Sequence, residues 1–85
     1  MTEITIKISS LEARQILNGL SQMSFDYWKR AEQEELQVIE YQLDGNEVGE
    51  KLAQSRAERA RLHEMAANTA YNKIKTEAIR LGLIG

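Results

Sequence analysis

The amino-acid sequence predicts a mainly α-helical protein: a short N-terminal β-strand followed by a long antiparallel helical hairpin that dimerises into a four-helix bundle. Three observations support this fold. The 85 residues contain no proline and five glycines, so few residues interrupt a helix. Apolar residues recur at helical spacing on both sides of a single strong turn signal. Residues 3–9, in contrast, alternate between apolar and polar side chains.

The first segment, residues 3–9, has the pattern of a half-buried strand. Ile4, Ile6 and Ile8 would share one face of this strand, and polar residues would share the other. No later segment has a strand pattern, and a lone strand leaves its backbone donors and acceptors unpaired. We therefore expect this segment to pair with its counterpart in a second copy, or to extend the sheet of another protein.

The first helix is predicted over residues 10–43. Ser9 and Glu12 form a capping-box pattern, in which Ser9 is the N-cap and the Glu12 carboxylate returns the hydrogen bond. Residues 18–26 include asparagine, glycine, serine and aspartate, which are weak helix formers. This stretch therefore permits a kink or break in an otherwise continuous helix.

A turn is predicted at residues 44–46, where glycine supplies a positive φ and Asp44 or Asn46 can cap the next helix. The second helix is predicted over residues 47–81, with Gly82 in the left-handed position that commonly ends a helix. The short length and the lack of a linker predict one domain over residues 1–85.

The turn position predicts which residues face each other in the hairpin. Facing residues in an antiparallel pair that turns at residues 44–46 have numbers that add up to about 90. In this register Glu34 faces Arg56, with Glu35 and Arg59 beside them. We expect the two arginines to neutralise the two glutamates at the centre of the seam between the helices.

Self-association is predicted because a two-helix hairpin gives each helix only one neighbour. Hydrophobic residues make up 42% of the chain, but nine of them are alanines, so the core is small. The absence of cysteine removes disulfides as a source of stability, which leaves oligomerisation as the usual alternative. We expect dimer or partner contacts at the apolar residues that the hairpin leaves uncovered, namely Ile4, Ile6, Ile8, Phe25, Trp28, Leu62, Met65 and Ile79.

The sequence predicts no catalytic residues, no metal site and no cofactor. His63 and Glu64 begin like a zinc-protease helix, but Ala67 stands where the second histidine is required. The glutamates of the first helix face arginines, which satisfy carboxylates without a metal ion. No phosphate-binding loop, dinucleotide fingerprint or nucleophile elbow occurs in the chain.

A basic cluster on the second helix supports an alternative function, that of a nucleic-acid-associated regulator. The cluster comprises Lys51, Arg56, Arg59 and Arg61, whose side chains would contact phosphate groups. Glutamates are interleaved with these residues, and the chain has a net charge of −2. Nucleic acid is therefore not the expected partner.

The leading functional hypothesis is a non-enzymatic protein–protein interaction or assembly protein that acts through a self-associating helical hairpin, built as a coiled coil. Its small size and its lack of cysteine and proline suit an accessory protein of a phage or mobile element. No apolar run approaches the roughly 20 residues that span a bilayer, so no membrane partner is expected. The first residues lack the pattern of a secretory signal, so we expect a cytoplasmic protein.

Overall fold

A computed structural model describes residues 3, 5 and 7–84, within which the chain forms two long α-helices. Helix α1 spans Ser10–Asp44 and helix α2 spans Glu47–Arg80. The two helices pack side by side in antiparallel directions, which confirms the predicted helical hairpin. The molecule measures 55 × 27 × 14 Å. Since one helix with its side chains is about 10–12 Å across, the hairpin is a single layer of two helices.

The described residues contain no β-strand. Glu3, Thr5 and Lys7–Ser9 have no regular secondary structure, so the strand predicted over residues 3–9 is not supported. Ile4 and Ile6 lie outside the described residues. A strand requires a second backbone edge, whereas the rest of the described chain is almost entirely helix, in which the backbone groups already bond internally.

Short polar contacts hold the ends of both helices. The Glu12 amide donates to the Ser9 hydroxyl at 3.2 Å and the Ser9 amide donates to the Glu12 carboxylate at 3.0 Å, so the predicted capping box is confirmed. Gly45 ends α1 with a φ of 70°, a conformation that costs glycine little. Asn46 then caps α2, because its side-chain oxygen accepts the Gly49 amide at 3.0 Å.

The seam between the helices has a seven-residue repeat. Nineteen buried or half-buried positions form this repeat, separated by alternating steps of three and four residues on both helices, while Gly49, Arg61 and Ala70 of α2 are half-buried outside it. This spacing keeps one edge of each helix against the other along the whole hairpin, and on α1 it continues without a break through residues 18–26. The α1 positions are Ser10, Ala13, Leu17, Leu20, Ser24, Tyr27, Ala31, Glu34, Val38 and Tyr41. The α2 positions are Glu50, Ala53, Ala57, Ala60, Glu64, Ala67, Tyr71, Ile74 and Ala78.

Small side chains fill most of the buried positions of this seam. Among the described residues eight are buried, of which seven are alanines and the other is Leu17. An alanine buries far less apolar area than a leucine or phenylalanine, so each of these positions contributes little hydrophobic stabilisation. The large apolar side chains of the hairpin therefore lie mostly outside its own core.

Contacts across the seam confirm the predicted register, in which facing residue numbers add up to about 90. The rings of Tyr27 and His63 stack with their centroids 4.9 Å apart. The Tyr41 ring covers the backbone of Gly49 so closely that a Cβ at residue 49 would lie 2.7 Å from it. At the open end of the hairpin, opposite the turn, the Ser10 hydroxyl donates to the carbonyl oxygen of Leu83.

Candidate interaction surfaces

The hairpin carries a set of exposed apolar side chains on one side and along the adjoining outer edges of its two helices, which we call the apolar face. Six of its members lie on α1, within an arc of about 100° at the helical rotation of about 100° per residue. The other three lie on the adjoining surface of α2. All nine side chains are between 45% and 84% exposed. The apolar face consists of Leu11, Phe25, Trp28, Leu36, Ile39 and Leu43 on α1, and Leu62, Met65 and Ile79 on α2.

The centre of the apolar face is aromatic on α1 and aliphatic on α2. The rings of Phe25 and Trp28 stack with their centroids 5.9 Å apart, and the two residues are 51% and 45% exposed. Leu62 and Met65 stand level with them in the register of the hairpin. These two α2 side chains line a shallow depression of about 400 Å³ together with Glu35 of α1. The surface is therefore uneven enough to receive side chains from another molecule.

Five of the eight contact residues that the sequence predicts lie on this face. They are Phe25, Trp28, Leu62, Met65 and Ile79. Ile8 is half-buried, and Ile4 and Ile6 lie outside the described residues.

The prediction missed Leu11, Ile39 and Leu43, whereas Leu36 was expected to remain uncovered by the seam. Ile39 and Leu43 follow Phe25 by fourteen and eighteen residues, and Leu11 precedes it by fourteen. Both separations are close to whole numbers of helical turns. A helical wheel centred on Phe25 would therefore have found them.

The hairpin exposes more surface than a compact chain of its mass. Its accessible area is 6827 Å². A folded monomer of 9.7 kDa would expose about 5,100 Å², so the excess is about 1,700 Å². The radius of gyration of 17.6 Å also exceeds the roughly 12 Å of a compact domain of this length. A single layer of helices has no interior in which to place its large apolar side chains.

Two arginines of α2 form ion pairs with glutamates of α1, on opposite edges of the seam. On one edge Arg56 Nε donates to Glu34 at 2.9 Å, which confirms that predicted pair. On the other edge Arg61 Nη2 donates to Glu32 at 2.9 Å and also to Glu35. The hydrogen bonds that Arg61 donates to Glu32 first, and then to Glu35, raise the pKa of Arg61 above its ordinary value. Both arginines therefore tie α2 to α1.

The predicted pairing of Arg59 with Glu35 is wrong. Arg59 and Arg61 are two residues apart, so their side chains point about 200° away from each other around α2. Glu35 lies on the edge of the seam that Arg61 occupies. Arg59 instead lines a depression of about 230 Å³ on the other edge, beside Arg30 and His63.

The four basic residues of the predicted nucleic-acid cluster do not form one surface. Arg56 and Arg59 line the depression beside His63, whereas Arg61 lines the one on the apolar face. Lys51 lies more than a helical turn away, towards the hairpin turn. Arg56 and Arg61 already bind carboxylates, so half of the predicted cluster is less available to phosphate groups.

Neither a metal site nor a membrane span is found in the part of the chain that the structure describes. No group of three or more histidine, aspartate or glutamate side chains there has an arrangement that could hold a metal ion. Glu32, Glu35 and Glu64 converge on the guanidinium of Arg61, and the Glu64 contact measures 3.2 Å. The same residues include no helix with an apolar stretch long enough to cross a bilayer.

Comparison with known proteins adds no relative: no family model, no curated protein and no solved structure matches this chain. The observations that bear on function are therefore those of the surface itself. They are a large exposed apolar face, and a predicted basic cluster in which Arg56 and Arg61 are already bound to carboxylates.

Proposed function

We propose that this chain is a non-enzymatic protein–protein interaction or assembly protein, whose hairpin associates with a second copy through the apolar face to form a four-helix bundle. The observation that carries the proposal is the distribution of apolar side chains. Among the described residues the buried ones are seven alanines and Leu17, whereas fourteen large apolar side chains are exposed. Such a distribution is typical of one half of a core.

The surface area supports a second copy as the partner. Covering the excess of about 1,700 Å² on each of two copies would bury about 3,400 Å² in total, and obligate homodimers bury about 2,000–5,000 Å². A second identical layer also supplies an apolar face of matching size, and a two-fold axis closes the assembly. The two layers together would enclose the large side chains that one layer leaves in water.

The seven-residue repeat supports a coiled-coil geometry for each hairpin. Alternating steps of three and four residues average 3.5 residues per turn, the period that keeps two supercoiled helices in contact. The alanines allow this seam to be narrow, so that the outer apolar stripe is left to pack against another hairpin. The nucleic-acid alternative has less support, because Arg56 and Arg61 are ion-paired on opposite edges of the seam.

Sedimentation equilibrium of the wild type and two matched variants tests the proposal. The wild type should have twice the mass of 9.7 kDa. Trp28→Ala removes the central aromatic side chain of the apolar face, so we expect the dimer dissociation constant to rise about 30-fold or more. Met23→Ala is the control, because Met23 is similarly exposed, at 48% against 45% for Trp28, but lies on the opposite edge of the seam.

Circular dichroism should show that both variants keep the helix content of the wild type, because both side chains lie outside the seam. A wild-type mass of 9.7 kDa at every concentration would contradict the proposal. Equal weakening by Trp28→Ala and Met23→Ala would also contradict it, because the apolar face would then not be the contact surface.

A further inference from the structure

We propose that the two hairpins pair head to tail, so that the turn of one copy lies beside the open end of the other. This inference rests on the proposed function, because it specifies how two apolar faces meet. Two hairpins stacked face to face have two symmetric arrangements, with their turns at the same end or at opposite ends. Every helix is antiparallel to its neighbours in both arrangements, so helix dipoles do not distinguish between them.

The distribution of charge along the hairpin distinguishes the two arrangements. The turn end, residues 36–55, has four acidic residues and one lysine, which gives a net charge of −3. The open end, residues 7–18 and 73–84, has five basic and two acidic residues, which gives +3. Pairing with the turns together would place −3 beside −3 and +3 beside +3. Head-to-tail pairing places opposite charges together at both ends of the 55 Å molecule.

The positions of the central aromatic pair and of the two outermost α1 members of the apolar face also fit head-to-tail pairing. Phe25 and Trp28 lie at the middle of α1, which runs from residue 10 to residue 44. Leu11 and Leu43 lie sixteen residues to either side of residue 27, which is about 24 Å at a rise of about 1.5 Å per residue. A two-fold axis through the centre therefore stacks the aromatic side chains on their own copies. The same axis brings Leu11 and Ile79 of one copy towards Leu43 of the other.

Distances between spin labels measure the arrangement directly. The chain has no cysteine, so a single introduced cysteine places one label on each copy. Asp44→Cys places the label on the last residue of α1. The substitution also removes a negative charge from the C-terminal end of the helix, where the helix dipole disfavours negative charge. Head-to-tail pairing places the two labels about 50 Å apart along the axis, the length of some 34 helical residues. Pairing with the turns together places them about 20–30 Å apart, the width of a four-helix bundle.

Ala66→Cys is the matched control for the label experiment. Ala66 is exposed and lies level with the middle of α1, so the distance between its labels is about the width of the bundle in either arrangement. A dimer with a short Asp44→Cys distance would overturn head-to-tail pairing and leave the proposed function intact. A monomer at every concentration would remove both.

Charge reversal gives an independent test, because the two arrangements predict opposite signs. Glu40→Lys combined with Asp44→Lys changes the turn end from −3 to +1. Head-to-tail dimers should weaken on the order of tenfold at low salt, and less at high salt. Dimers with their turns together should instead become tighter, because repulsion between two acidic ends is relieved.

A second pair of substitutions separates pairing from folding. Adding Arg14→Glu and Lys73→Glu to the reversed turn changes the open end from +3 to −1. Opposite charges then meet again in head-to-tail dimers, so the affinity should recover at least in part. Failure of this fourfold variant to bind more tightly than the twofold variant would overturn the inference.

Discussion

Replacing Ala67 with leucine should destabilise the hairpin, whereas the same replacement at the neighbouring Ala66 should have almost no effect. Ala67 is 4% exposed and lies in the seam, level with Ser24. Ala66 is exposed, because one residue turns the side chain by about 100° around the helix. The two variants have the same composition and nearly the same position, so they differ in the direction of the added side chain.

The expected size of the effect follows from the contacts around Ala67. Leucine adds three carbon atoms to a position where the helices already touch, and such overpacking costs about 1–3 kcal/mol. Ser24 would have to move aside, which would strain the hydrogen bond of 2.7 Å that its hydroxyl donates to Asn68. At Ala66 the change in helix propensity from alanine to leucine amounts to a few tenths of a kcal/mol at most.

Urea unfolding followed by circular dichroism measures both variants. All samples should have the same protein concentration, because association adds to the apparent free energy of unfolding. In a thermal experiment each kcal/mol lost should lower the melting temperature by about 4–8 °C. Equal loss of stability in the two variants, or no loss in either, would refute the assignment of Ala67 to the seam.

The remaining predictions concern the turn, the interior of α1 and the start of α1. Gly45→Ala should lower the free energy of unfolding by about 1 kcal/mol, because residue 45 has a φ of 70°. Gly19→Ala should raise the free energy of unfolding by about 0.5–1 kcal/mol, because residue 19 lies inside α1 with open space around it. Urea unfolding that shows both substitutions changing the stability in the same direction would contradict these two predictions. Hydrogen bonds from the Ser9 backbone first, and then from its side chain, lower the pKa of Glu12 from its ordinary value of 4.5. The stabilising effect of this carboxylate is therefore fully present above about pH 4.5 and is lost as the pH falls through the lower folded pKa. Glu12→Gln should lose less stability than the wild type between about pH 5 and pH 3, and parallel losses in the two proteins would show that the capping box does not contribute.

Features that depend on a few residues at fixed spacing could be predicted from the sequence. The capping box requires only Ser9 and Glu12 at a separation of three residues. The register follows from the position of the turn, so the facing pair of Glu34 and Arg56 could be found by arithmetic. Both predictions use backbone geometry that is the same in every helix.

Features that depend on the side of the seam could not be predicted in the same way. The residue numbers place Glu35 near both Arg59 and Arg61. The rotation of α2 about its axis places Arg61 on the same side of the seam as Glu35, so Arg61 forms the ion pair. The apolar face was only partly recognised, because α1 has one stripe along the seam and another on its outer side. Alanines in the seam give a weak hydrophobic signal, so the outer side chains resemble a core in the sequence.

The alternation at residues 3–9 shows a further limit of sequence patterns. A period of two indicates which side chains would share a face, but it does not supply a second strand. Hydrogen bonds to a neighbouring strand are what make a strand stable, and the described chain offers only helices. The alternation therefore describes side chains only. Within one copy, the described chain offers no neighbouring strand to bond the backbone of this segment.

The contact between Ser10 and Leu83 at the open end has a mechanical consequence. A force that pulls residues 10 and 83 apart acts first on this single hydrogen bond and then on one layer of the seam at a time. Unzipping of this kind requires less force than shearing, in which all layers resist together. The first layer of the seam, formed by Ala13 and Ala78, offers little resistance, so separation should begin at the open end and spread towards the turn. Under a force in this direction, the contact between the Tyr41 ring and Gly49, next to the turn, should be the last to break.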